Sequence, residues 1–199
     1  MTGGRAERIG IFGGTFDPPH IGHLVAAVEV RERLGLDRML IVPANVPWQK
    51  VGSRKITSAA IRLEMVRAAT AGLAGLEVSE REIRRGGDSF TIDTVEELLA
   101  EDPEREVFVV VGADTESLLD TWERIEDLRA KASLVVVSRG GDTAGVVGDV
   151  RVERVAIPRL EVSSTDLRAR VAAGRTIEVL VPASVQAVID THRLYRVAG

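Results

Sequence analysis

Two histidines stand three residues apart in a glycine-led stretch, Gly13-Gly14-Thr15-Phe16-Asp17-Pro18-Pro19-His20-Ile21-Gly22-His23. The chain has 3 histidines in all, so this stretch holds most of them. Glycines at a strand end let the backbone approach a ligand closely, and main-chain N–H groups there can hold phosphate oxygens. The proline pair stiffens the entry to whatever follows. If a helix follows, His20 and His23 share one face of its first turn, where the helix dipole favours an anion. Imidazoles donate hydrogen bonds when neutral and add positive charge when protonated, so the pair suits a polyphosphate. The stretch is not the G-x-G-x-x-G of a dinucleotide-binding fold, because both glycines precede Thr15. Nor is it a transition-metal pair, since there is no cysteine and no further histidine nearby to complete one. Oxygen ligands alone would suit Mg2+, which usually arrives with a nucleotide.

A second stretch, Val162-Ser163-Ser164-Thr165-Asp166-Leu167-Arg168, has the same chemical leaning. Hydroxyl residues at a helix start expose N–H groups and side-chain donors to an anion. Arg168, one turn on, can reach back to the same phosphate with its fork of donors. Taken alone, it reads equally well as a plain helix cap with a solvent-facing arginine. Its occurrence in one chain with the histidine pair is what makes it informative.

The elements that must hold these groups alternate along the chain. Residues 8–13 read as a short apolar strand ending in a Gly-Gly turn, and 21–34 as a helix with Gly35 at its C-terminal end. Residues 39–42 form a second strand stopped by Pro43, 58–71 a helix, and 76–79 a third strand. Thr94-Val95-Glu96-Glu97 matches a capping box and opens a helix through Leu98 and Leu99. Residues 107–111 are the strongest strand and 134–138 the next, with 139–148 read as a glycine-rich loop. A helix starts at Ser164 and ends at Gly174, and a last one runs from Pro182 to about His192. Continuous apolar strands alternating with amphipathic helices predict an α/β fold, a doubly wound parallel sheet covered on both faces. In such sheets ligands bind beyond the carboxyl ends of the strands, where strand order reverses. No linker interrupts the pattern, so one domain is expected over 1–199.

Composition narrows the classes further. Across 199 residues, 26 Lys plus Arg face 30 Asp plus Glu, a formal net charge of −4, so no nucleic acid is expected as partner. With 45% hydrophobic residues the chain can bury a sizeable core. The absence of cysteine excludes disulfides and thiolate chemistry. The apolar runs are far shorter than a membrane helix needs, and no signal-peptide stretch is seen, so a cytoplasmic location without membrane partners is expected. The oligomeric state is left open, a homo-oligomer included.

His20-Ile21-Gly22-His23 together with Ser163-Ser164-Thr165-x-x-Arg168 resembles the nucleotidyltransferase superfamily. Further stretches resemble bacterial nicotinate-nucleotide adenylyltransferases. These are Ser89-Phe90-Thr91-Ile92-Asp93-Thr94, Gly112-Ala113-Asp114 with Leu118-Leu119 and Trp122, and the closing Val181-Pro182 to His192-Arg193-Leu194-Tyr195. The resemblance runs from Ile9 to about Tyr195. It implies a Rossmann-like nucleotidyltransferase fold and transfer of AMP from ATP, with Mg2+, to nicotinate mononucleotide, giving deamido-NAD and pyrophosphate. By that resemblance His20 and His23 would hold the α-phosphate and bridging oxygens, and Ser164, Thr165 and Arg168 the β- and γ-phosphates. Gly13, Gly14, Thr15 and Phe16 would offer loop backbone to phosphates and ribose. Gly112 would let the nucleotide pass close to the main chain, and Arg139 would contact its phosphates. Asp114 suits ribose hydroxyls, a role compatible with a helix N-cap.

For the acceptor, Thr91 resembles the position whose backbone meets the nicotinate carboxylate, and the flat indole of Trp122 suits stacking on a pyridine ring, although core packing is its ordinary alternative. One segment departs from the family pattern. Asn45-Val46-Pro47-Trp48-Gln49-Lys50 stands where the family usually has Pro-Pro-His-Lys. Lys50 still suits a phosphate, while Trp48 fits either a flap over the site or a packing residue of a lid. Nicotinamide mononucleotide and phosphopantetheine are the competing acceptors. A class I aminoacyl-tRNA synthetase shares the histidine loop, but the chain is short for one and has no Lys-x-Ser-Lys loop. A non-catalytic nucleotide sensor is the alternative from another class; loss of His20, His23 or Arg168 would mark it, and all three are present.

Overall fold

Successive side chains of a strand point to opposite faces, so an unbroken apolar strand needs cover on both sides. The computed structural model, which describes residues 5–46, 56–138, 145–147 and 150–196, meets that demand with a seven-stranded sheet. Its strands are β1 (Arg8–Gly14), β2 (Arg38–Pro43), β3 (Leu76–Val78), β4 (Glu106–Gly112), β5 (Ser133–Ser138), β6 (Gly145–Val147) and β7 (Val150–Ala156). They lie in the order β3-β2-β1-β4-β5-β7-β6. All neighbours are parallel except the β6–β7 pair at the edge. The helices are α1 (Ile21–Arg33), α2 (Ala59–Thr70), α3 (Arg81–Arg85), α4 (Thr91–Glu101), α5 (Ala113–Glu116), α6 (Ile125–Lys131), α7 (Ser164–Ala172) and α8 (Ala183–Thr191).

On one face, Val107, Val109 and Val111 of β4 join Ile9 and Ile11 of β1 beneath Ile92, Val95 and Leu98 of α4 and Leu128 of α6. On the other, Phe108 and Val110 join Met39 and Ile41 beneath Ala26, Ala27 and Val30 of α1 and Val66 of α2. A third cluster packs Met65 and Ala69 of α2 against Leu167 of α7 and Val185 and Ile189 of α8. That cluster carries the end of the chain back beside the start of α1, where the Ile21 N–H donates to the Leu180 carbonyl at 3.1 Å. The doubly wound α/β sheet read from the sequence is therefore present. Strand order reverses between β1 and β4, so a cleft belongs beyond Gly14 and Gly112. Among the described residues no helix is long and apolar enough to cross a membrane.

Three details differ from the expected pattern. Residues 139–148 do not form a loop throughout, since β6 falls within them and pairs antiparallel with β7. β7 escapes the apolar-run reading because its sequence, Val150-Arg151-Val152-Glu153-Arg154-Val155, interleaves charges. Helix α4 opens at Thr91, not Thr94. Thr94 is fully buried inside the helix, where its hydroxyl donates to Glu82 Oε1 at 3.3 Å and accepts from Arg85 Nη2 at 3.0 Å. The short helices α3, α5 and α6 carry too few residues to show an apolar period.

Candidate active site

Two cavities adjoin at the carboxyl end of the sheet and share Phe12, Gly13, Gly14, Thr15, Gly112 and Thr115. The larger, of about 810 Å3, is lined further by Phe16, His20, His23, Asp114, Ser164, Thr165 and Arg168. The smaller, of about 230 Å3, is lined by Ser89, Phe90, Thr91, Trp122 and Glu82. Every candidate residue that the structure describes thus lies on one of the two. Lys50, Trp48 and Arg139 lie outside the described residues.

The histidine pair is built by the start of α1. His20 is its N-cap, in extended conformation, and His23 is the third helical residue. The imidazoles stack with centroids 3.7 Å apart and planes 24° apart. The His20 backbone N–H donates to His23 Nδ1 at 3.2 Å, so in the neutral ring of His23 the proton sits on Nε2, as a donor. Phe16 packs edge-on against the His23 ring at 5.0 Å and fixes its plane. Gly22, between the histidines, has a packing reason. A Cβ there would stand 3.0 Å from Val162 and 3.1 Å from the His20 ring, wedging apart the two stretches that must meet. At Gly13 and Gly112 a Cβ would meet no described atom within 4 Å, which leaves bare backbone along both cavities.

The second stretch meets the first directly. Ser163 caps α7 by accepting the Asp166 N–H at 3.1 Å. Ser164 Oγ donates to the Pro18 carbonyl at 2.8 Å, and Arg168 Nη1 donates to the Asp17 carbonyl at 2.8 Å. Arg168 Nη2 donates to Thr165 Oγ1 at 3.0 Å, so the Thr165 hydroxyl keeps its proton to offer elsewhere. The single hydroxyl proton of Ser164 is given to the Pro18 carbonyl, which leaves its backbone N–H, at the start of α7, as its other donor. Asp114 sits in the first turn of α5, whose N-cap is Gly112, so Asp114 is not the cap.

On the smaller cavity, Thr91 begins α4 with Phe90 as an N-cap that supplies no side-chain acceptor. The indole Nε1 of Trp122 is buried and has no hydrogen-bond partner among the described residues. Trp122 also packs against the central cluster, so it is both a core residue and a cavity wall. Arg124 follows it in the left-handed region, φ 50°, and grips Glu96 of α4 with two bonds, of 3.0 and 2.6 Å. That pair holds the Glu96 carboxyl below the usual carboxylate range, chiefly through the hydrogen bond from Arg124. Burial pushes the Glu82 carboxyl up, against hydrogen bonds from Ser89 and Thr94 and the charge of Arg85.

Sequence reasoning missed a polar layer beneath the first loop. Asp17 is 1% exposed and accepts from the Tyr195 hydroxyl at 2.6 Å. Burial and that carboxylate push the Tyr195 phenol well above its ordinary value. Arg62, also 1% exposed, donates to the Thr57 carbonyl at 2.9 Å, and the Thr57 N–H in turn lies 3.5 Å from Asp17 Oδ2. Its signal was present: Arg62 lies three, four and seven residues before Met65, Val66 and Ala69, on the apolar face of α2.

Comparison with known proteins agrees with this arrangement. A family model described as cytidylyltransferase-like matches residues 11–170. A protein of Exiguobacterium sibiricum named "Probable nicotinate-nucleotide adenylyltransferase" is 45% identical over 188 residues, covering 94% of this chain and 98% of that protein. One of Corynebacterium kroppenstedtii with the same name is 42% identical over 204 residues, covering 100% of this chain and 96% of that protein. In fold, the chain is similar to Plasmodium falciparum nicotinic acid mononucleotide adenylyltransferase complexed with NaAD, with a TM-score of 0.74, 16% identity, and coverage of 95% of this chain and 97% of that one. With sequence likeness running through both motifs and almost to each end, this chain belongs to the nicotinate-nucleotide adenylyltransferase family, among the cytidylyltransferase-like proteins.

Proposed function

We propose that this protein transfers AMP from ATP to nicotinate mononucleotide, forming deamido-NAD and pyrophosphate. The observation that carries the reading is the convergence of His20, His23, Thr165 and Arg168 on one cavity that shares its Gly13–Thr15 wall with a second, smaller one walled by Trp122. A triphosphate suits the first, and a pyridine ring the second.

In the reaction an oxygen of the acceptor's 5′-phosphate attacks the α-phosphorus of ATP. The bond from that phosphorus to the bridging oxygen breaks, and pyrophosphate leaves with the electron pair. The substrate supplies its own nucleophile, so the protein's work is alignment and charge neutralisation. In this reading His20 and His23 address the α-phosphate and the bridging oxygen, where negative charge develops. Thr165, the Ser164 N–H and Arg168 take the β- and γ-phosphates. Gly13, Gly14, Thr15, Phe16 and Gly112 give main chain to the nucleotide, and Asp114 accepts from its ribose. Mg2+ would enter as part of the ATP substrate and would supply further neutralisation of the leaving group.

On the acceptor side, the start of α4 at Thr91 presents the positive end of an eleven-residue helix with no side-chain cap, which suits a carboxylate better than a neutral amide. That preference supports nicotinate over nicotinamide. The test is pyrophosphate release from ATP, Mg2+ and nicotinate mononucleotide, run beside nicotinamide mononucleotide and phosphopantetheine. Fastest turnover with the nicotinate compound is expected. Silence at saturation, or faster turnover of another acceptor, would overturn the reading.

A further inference from the structure

One buried side chain bonds to the loops of both cavities. Arg62 donates from Nε to the Thr57 carbonyl, from Nη1 to the Thr15 carbonyl and from Nη2 to the Asn45 carbonyl, each at 2.9 Å. Thr57 precedes the cap of α2, Thr15 belongs to the loop after β1, and Asn45 to the loop after β2. Thr15 lines both cavities. From Asn45 the path continues. Its N–H donates to Ser89 Oγ at 2.8 Å, its side-chain amide donates to the Gly87 carbonyl at 2.9 Å, and the Ser89 N–H returns to the Val46 carbonyl at 3.2 Å. Ser89 lines the smaller cavity two residues before Thr91. A path of hydrogen bonds therefore runs from the phosphate loop, through a guanidinium, to Ser89, two residues before the acceptor helix.

A charge held at 1% exposure is costly unless its donors are satisfied. Those bonds serve stability in their own right, since an apolar residue in line with Met65 and Val66 would remove all three donors. What a guanidinium adds is a rigid planar fork that fixes three carbonyls at set angles to one another, which no other side chain can do. We propose that Arg62 is a positioning residue that sets the separation of the donor and acceptor half-sites, so that the attacking phosphate and the α-phosphorus meet in line. The inference rests on the adenylyl-transfer reading above. Arg62 touches no substrate. It acts through Thr15 on one side and through Asn45 and Ser89 on the other.

The variant Arg62→Lys keeps the charge and loses the fork. Its expected effect is a fall in kcat of about 10²-fold, the cost of roughly 1 Å of misplacement, with calorimetric Kd values for ATP alone and for nicotinate mononucleotide alone nearly unmoved. A residue that merely stabilises the fold would lower Tm and leave kcat per folded enzyme unchanged, and that outcome overturns the inference. Loss of binding of one substrate in proportion to kcat also overturns it, since Arg62 would then serve a single half-site. If Arg62→Lys does not fold, Ser89→Ala decides. It removes the acceptor of the Asn45 N–H and so cuts the path between Arg62 and α4, and a fall in kcat of about fivefold, the worth of one hydrogen bond, is expected with both Kd values unmoved. An unchanged kcat in that variant overturns the proposal. A silent wild type would sink the adenylyl-transfer reading itself, whereas an active wild type beside a fully active Arg62→Lys sinks only the coupling.

Discussion

The larger cavity is built largely from short contiguous stretches, residues 13–23, 112–115 and 163–168, the last pinned to the first by side-chain donors on the carbonyls of Asp17 and Pro18. The smaller one is assembled from side chains that come together only in the folded chain: Ser89 and Thr91 before and on α4, Trp122 from the turn after α5, and Glu82 from α3. A triphosphate is a dense anion and can be held by main-chain N–H groups and a few fixed donors, which short motifs encode. A pyridine ring needs a flat apolar wall and one charged end, and these depend on how a helix and a loop pack. The two halves should therefore fail differently. Damage to the first should strike the chemical step, and damage to the second the capture of one substrate.

The sharpest test of that contrast is His23→Ala. Its Nε2–H is the donor best fixed in place, because Nδ1 is occupied by the His20 N–H and the ring is wedged by Phe16. Removing it should lower kcat by about 10²-fold or more, as loss of one transition-state donor does. An effect confined to KM would mean that His23 binds ground state and transition state alike, and the contrast would blur.

Trp122→Ala comes next. Loss of one stacking contact should raise KM for nicotinate mononucleotide about tenfold, near the upper end of what an aromatic contact contributes. ATP affinity, measured by calorimetry, should hardly move. If ATP affinity fell as far, the packing of Trp122 against the central cluster would be its main role, and the two cavities would not be separable.

Arg124→Ala probes the same wall at one remove. Its bidentate bond to Glu96 ties the Trp122 turn to the helix that starts at Thr91, yet the pair is about 40% and 35% exposed. An exposed ion pair contributes little, so about a twofold rise in acceptor KM is expected, shrinking as salt is added. A larger, salt-independent rise would show that Arg124 shapes the cavity through its left-handed backbone and not through charge.

The sequence was most readable where function and local structure share the same residues. His20 and His23 cap and open α1, Ser163 caps α7, and the glycines of the first loop leave the backbone bare, so helix signals and phosphate signals coincide. The sheet was readable because β1, β2, β4 and β5 are buried on both faces and thus uniformly apolar. It became unreadable at the edge, where β7 mixes charge into its run. The polar layer of Asp17, Arg62 and Tyr195 escaped for a different reason: its partners lie as far as 178 residues apart, and nothing local marks a charged residue as buried. Thr94 shows the same limit. Its T-x-x-E pattern is a genuine capping signal, but tertiary contact with Glu82 and Arg85 claims the hydroxyl first.

Glu82 gives the smallest and most local test of how the acceptor wall is held. Its carboxyl is 5% exposed, lines the smaller cavity and is pushed above 4.5, because burial outweighs the hydrogen bonds from Ser89 and Thr94 and the charge of Arg85. A raised carboxyl binds its proton more tightly in the folded than in the unfolded chain, so between the two titrations the native state carries more protons. The stability that Glu82 contributes is then fully present below about pH 4.5 and is lost as pH rises through its raised folded value. Glu82→Gln removes the titration and keeps an acceptor for Thr94. The variant should lose that part of the decline, so its stability relative to the wild type should improve from pH 4.5 towards neutrality in urea unfolding followed across that range. A difference that stays flat with pH would mean that Thr94, Ser89 and Arg85 offset the burial fully. The acceptor wall would then be as firmly satisfied as the phosphate loop, and the contrast between the two halves would rest on side-chain chemistry alone.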